Sequence, residues 1–143
     1  MNAQLYTKVF TGPIVREYRC YIVAGRCVDI AEKRRYTPER RQELDIEATV
    51  YTKLIRANHN GWAFCRHNWT ASVDARERIK TAATTTAQYF GLGWGAVDMI
   101  ASYTKPDKEL IDIRVIETNS AISLLNDQAT RSTLSAAWED ALR

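Results

Sequence analysis

The spacing of apolar positions changes several times along the chain, and each change marks an element. "QLYTKVF" predicts a short strand closed by "TGP", and "YRCYIV" is strongly strand-like. A tight turn at Ala24 and Gly25 then leads into "RCVDIAEK", so a hairpin is expected there. From Pro38 onward Leu44, Ala48, Tyr51 and Ile55 recur at helical spacing, with Pro38 in a first turn after Thr37 and "NHNG" as the stop. The other side of that segment is charged, which predicts one amphipathic, charged helix over about 38–57. "WAFCRHNW" is short, aromatic and strand-like. Ala75, Ile79, Ala82, Ala83 and Thr86 predict a second helix from Asp74 to Tyr89, packing through small residues and ending at Gly91.

Two further strand-like runs, "GWGAVDMIASY" and "ELIDIRVIETN", are joined by "TKPDK", where Pro106 and Asp107 suit a turn. They should pair antiparallel. Strand-rich runs joined mostly by short turns and interrupted by two helical segments predict an α+β fold, residues 1–143 forming a single domain. Its sheet is expected to be mainly antiparallel, with two principal helices on one face.

That second hairpin carries candidate chemistry. Alternate strand residues share a face, so Glu117 and Asn119 point to the same side. Folding about Pro106 and Asp107 sets Asp98 opposite or diagonal to Glu117. Two carboxylates and an amide oxygen then converge, a set of hard oxygen donors of the kind Mg²⁺ prefers while it keeps positions for water and phosphate.

Composition narrows the classes without choosing among them. The 143 residues are 45% hydrophobic and 26% charged, as in an ordinary globular domain. A net charge of +3 suits polyanionic ligands such as nucleotides but falls short of a dedicated nucleic-acid binder. Apolar runs are far shorter than the roughly 18 residues of a membrane span, and "MNAQLYTK" has no signal-peptide apolar core, so no membrane partner and a cytoplasmic location are expected. Cys20, Cys27 and Cys65 are odd in number and lack metal-ligand spacing; they are read as reduced thiols. His59 and His67 lie in no recognisable triad. "GLGWG" precedes a strand, where a phosphate loop would precede a helix, so it reads as a turn and close-packing site. Trp62 and Trp69 are read as packing residues.

In order and type, "REYRCYIVAGRCV", "AEKRR", "FCRHN", "FGLGWGAVDMI" and "VIETNSA" resemble the C-terminal part of an ATP-grasp ligase. The pattern is nearest to the ribosomal-protein glutamate ligases and more distantly similar to the D-alanyl-D-alanine ligases, over roughly residues 4–123. The resemblance implies a C-terminal ATP-grasp lobe that uses ATP and Mg²⁺ to phosphorylate a carboxylate, which an amine then captures as an amide. It implies Asp98, Glu117 and Asn119 as metal ligands, Arg19, Arg66 and Asn68 as catalytic residues facing the phosphates and acyl-phosphate, and Arg34 or Arg35 of "KRR" as cofactor-binding. The family carries an Arg where this chain has Ala96, and a Pro-Gly turn where it has Ser120 and Ala121. The nucleotide-covering jaw has no counterpart, so the resemblance implies a second chain or a homo-oligomer supplying or covering that lobe. The alternative is a non-catalytic binding module of the same ancestry that contacts a protein or nucleic-acid partner.

Overall fold

A computed structural model of the protein describes residues 10, 12–66, 71–105, 109–121 and 128–143. Among the described residues five antiparallel strands form one sheet: β1 (Ile14–Val23), β2 (Arg26–Arg35), β3 (Trp62–Cys65), β4 (Trp94–Tyr103) and β5 (Leu110–Asn119), in the spatial order β3-β2-β1-β4-β5. The α+β class and both hairpins are as the sequence predicts. At the first turn Ala24 and Gly25 have φ of 49° and 72°, the paired left-handed conformation that suits the twist of a two-residue hairpin. Of the remaining expectations, the strand in "QLYTKVF" falls mostly, and the turn at Pro106 and Asp107 entirely, outside the described residues.

Helix α3 (Val73–Tyr89) begins where expected, with the Ser72 hydroxyl accepting from the Ala75 amide at 3.1 Å. It ends just before Gly91, whose φ of 64° closes the terminus. Ala75, Ile79, Ala83 and Ala87 are buried at four-residue intervals, and these small side chains let the helix lie close on the sheet. They meet Tyr18, Cys20, Ile22, Ile30, Val97, Met99, Ala101 and Tyr103, all from one face. Thr84 adds a polar tie, its hydroxyl accepting from the Cys27 amide at 3.0 Å.

Two expectations about helices are corrected. The stretch 38–57 is not one helix but two short ones, α1 (Pro38–Glu43) and α2 (Val50–Leu54), followed by a 3₁₀ turn at Asn58–Asn60. Thr37 caps α1 and Thr49 forms a capping box with Thr52, yet neither helix buries a residue. Leu44, Ala48, Tyr51 and Ile55, the expected apolar stripe, are all exposed, and Asp45 sits at φ 53° between the helices. A helix without tertiary burial has little to sustain it beyond a turn or two. The other long helix is instead α4 (Gln128–Ala141), beyond the last segment read from the sequence. It lies on the opposite face from α3: Leu134 packs with Tyr21, Val23 and Ala31, which alternate with the residues under α3. The two principal helices therefore cover both faces.

Candidate functional site

On the face away from α3 the strand registers line up chemistry in rows. One row runs Ala31, Arg19, Asp98, Glu117 from β2 through β1 and β4 to β5. The next runs Asp29, Tyr21, Ala96, Asn119. Asp98 stands directly opposite Glu117, and Asn119 follows on the same face, the arrangement expected from the sequence. The Asn119 amide donates to Glu117 Oε1 at 2.9 Å.

Asp98 is 4% exposed, and its charge is answered from the other side. Arg19 grips it with two parallel hydrogen bonds, Nε to Oδ1 at 2.8 Å and Nη2 to Oδ2 at 2.7 Å, the strong fork geometry of guanidinium and carboxylate. These bonds raise the Arg19 pKa above its ordinary value although burial opposes the shift. Phe64 of β3 backs the pair, its ring centre 4.4 Å from the Arg19 guanidinium carbon and 4.9 Å from Lys33 Nζ. Lys33 in turn donates to Glu17 at 2.6 Å. The floor thus carries a row in which Lys33, Glu17, Arg19 and Asp98 alternate in sign, and Glu117 adds a second carboxylate beside Asp98.

Phe64, Lys33 and Glu17 were not singled out in the sequence. The signal was available, since Glu17 and Arg19 share a strand face and Lys33 pairs with Phe64, but it needed the β2–β3 register, which a four-residue strand does not reveal. Gly95 was read only as part of a close-packing run. It has φ 142°, and a Cβ there would stand 2.0 Å from the Asn119 carbonyl oxygen, so only glycine lets β5 deliver Asn119 against β4.

The other expected residues are not gathered at this spot. Arg66 pairs with Asp29 at 2.5 Å and donates to the Thr133 hydroxyl of α4 at 3.0 Å, which places it toward the α4 end of the same face. Asn68 lies outside the described residues. Arg34 and Arg35 point to opposite faces: Arg34 stands 3.4 Å from the buried Glu32 on the α3 side, and Arg35 donates to Thr52 at 3.4 Å. Arg35 is therefore the member of the pair on the Asp98 face. Trp62 packs, as expected, with its indole N–H on the Thr52 carbonyl at 2.9 Å and Arg56 stacked at 5.2 Å. The three cysteines are free thiols; a hydrogen bond with Cys27, together with burial, pushes the Cys20 thiol up, which keeps it protonated.

Chemically, Asp98, Glu117 and Asn119 supply hard oxygen donors in neighbouring positions of two paired strands, a set of the type that suits Mg²⁺. Among the described residues no three His, Cys, Asp or Glu side chains gather into a metal-binding group. Also among the described residues, no helix is long and apolar enough to cross a membrane. No protein family, curated protein or solved structure matches the chain.

Proposed function

We propose that the chain is the metal-binding lobe of an ATP- and Mg²⁺-dependent carboxylate–amine ligase of ATP-grasp type, acting in the cytoplasm with a second lobe supplied by a partner chain or another copy. The observation that carries this reading is the register that sets Asp98 opposite Glu117 with Asn119 beside them. These three would hold Mg²⁺, whose charge would offset that of the ATP phosphates. Arg19 holds Asp98 in place through its two hydrogen bonds, and with Lys33 and Arg35 it gives this face the cations that a polyphosphate requires. Arg66 belongs to the far side of the same face and would meet the carboxylate substrate.

The exposed apolar residues of α2, Val50, Tyr51 and Leu54, give a second lobe a surface to close on. A lobe alone makes only part of the nucleotide contacts, so millimolar or weaker binding is expected from the isolated chain. Isothermal titration with ATP, with and without Mg²⁺, tests the reading: binding should require Mg²⁺ and disappear in the Asp98→Asn, Glu117→Gln double variant.

One observation favours a different class. Both Asp98 oxygens are already occupied by Arg19, as in a structural ion pair. On this second reading the chain is a binding module without ligase chemistry, contacting a protein or nucleic acid. ATP binding that is absent, or indifferent to Mg²⁺ and to the double substitution, would select it.

A further inference from the structure

Strand β5 ends the sheet, and among the described residues no strand pairs with its outer edge. An unpaired edge offers a row of backbone donors and acceptors to any other strand, and proteins ordinarily blunt such edges with charge, bulges or cover. Here the blunting is confined to the ends. Arg78 of α3 donates to the Leu110 carbonyl at 3.3 Å at one end, and the register slips where Glu117 gives way to Val115 and again where Asp112 gives way to Leu110. Between these breaks Asp112, Ile113, Arg114 and Val115 form a regular ladder with β4. Ile111 and Val115, which flank the central triplet, are 52% and 43% exposed.

The side chains on this stretch are complementary to themselves when the strand is reversed. Asp112 and Arg114 occupy alternate positions, opposite Ser102 and Ile100, and so share one face. Along the strand they pair with each other, Arg114 Nε to Asp112 Oδ2 at 3.0 Å, with both side chains well exposed, and the Arg114 guanidinium also lies 5.4 Å from the centre of the Phe10 ring. Place a second β5 antiparallel about a two-fold axis through Ile113: Asp112 then stands opposite the partner's Arg114, and Arg114 opposite the partner's Asp112. Ile113 meets its own equivalent, and Ile111 meets the partner's Val115. A two-fold interface requires this kind of self-matching, and both opposite-charge and β-branched cross-strand pairs favour it.

We propose that two copies of this chain dimerise edge to edge through β5, centred on Ile113, to form one continuous ten-stranded antiparallel sheet. The proposal is independent of the ligase reading, since it concerns the edge of the sheet and no ligand.

Size-exclusion chromatography with light scattering on the full chain tests it, and circular dichroism confirms that each variant is folded. The parent is a dimer. Asp112→Arg places like charges opposite each other at both symmetric pairs, as does Arg114→Asp, so each raises the dimer dissociation constant by at least about tenfold. Mixing the two single variants restores a heterodimer, because every cross-strand pair again has opposite signs. Should one single variant not fold, the doubly reversed D112R/R114D chain serves instead: it dimerises with itself and not with the parent. A parent that stays monomeric at all concentrations overturns the proposal. So does a dimer indifferent to the single reversals, or one not rescued by mixing. A parent that dimerises only after removal of residues 1–9 would also overturn it, by naming that segment as the occupant of the edge.

Discussion

Strands β1 and β4 show opposite characters on their two faces. Toward α3 they present Tyr18, Cys20, Ile22, Val97 and Met99, all buried, and the polar groups there are consumed within the protein. Tyr18 and Tyr103 share a hydrogen bond of 2.6 Å, and Glu32 stands 3.4 Å from both Arg16 and Arg34. Toward the other face the alternate residues are Arg19, Asp98 and, from β5, the exposed Glu117 and half-exposed Asn119. Helix α4 covers only one part of this face, around Tyr21, Val23 and Ala31. The same backbone therefore holds a closed polar network on one side and a partly open one on the other. An open polar network on paired strands can exchange a protein partner for a ligand; a closed one serves stability.

The deepest way to break this difference is to part the hairpin that carries the open side. Gly95→Ala would drive a Cβ into the Asn119 carbonyl from a backbone conformation reserved for glycine. Overpacking and strain together should cost on the order of 4 kcal/mol in urea denaturation. Arg19→Met acts next, because it leaves the Asp98 carboxylate buried without its fork. Since a quarter of the Arg19 side chain is exposed, a loss of about 2 kcal/mol is expected, less than for a fully buried pair.

The closed side responds to alkali. Burial, followed by the Tyr103 hydroxyl, pushes the Tyr18 phenol far above its ordinary range, and burial also raises Tyr103. The folded protein keeps protons that the unfolded chain releases near the usual tyrosine value of about 10. The phenols' contribution is therefore complete below that pH and lost as pH rises beyond it, by up to about 1.4 kcal/mol per pH unit for each. Tyr18→Phe should cost about 1 kcal/mol at neutral pH and flatten the alkaline limb of the stability curve. The smallest effect on stability belongs to Glu117→Gln, within about 0.5 kcal/mol because the side chain is exposed. That substitution should remove Mg²⁺-dependent ATP binding all the same, and the contrast between the two readouts sharpens the distinction between the faces.

Elements with a clear period and defined caps were legible in the sequence: the Ala24–Gly25 hairpin, α3 with its small-residue stripe, and the pairing that sets Asp98 against Glu117. The segment 38–57 was misread because its apolar spacing is helical while nothing in the fold covers it, and periodicity reports which face could be buried without reporting what is there to bury it. Helix α4 buries only Thr130 and Leu134, too thin a stripe to stand out. The Arg19–Asp98 fork was half legible: both residues were named, but their pairing depends on the β1–β4 register, which joins strands more than 70 residues apart and leaves no local trace.

We propose that the row formed by Asp98, Glu117 and Asn119 holds a divalent cation bound to nucleotide. Mn²⁺ replaces Mg²⁺ at oxygen sites and broadens nearby NMR signals, so titrating Mn²⁺·ATP while following backbone amides locates the ion directly. Selective broadening at residues 96–98 and 117–119, reversed by excess Mg²⁺ and absent in Glu117→Gln, is the expected result. Broadening centred elsewhere, or none at ATP concentrations in the millimolar range, would contradict the assignment.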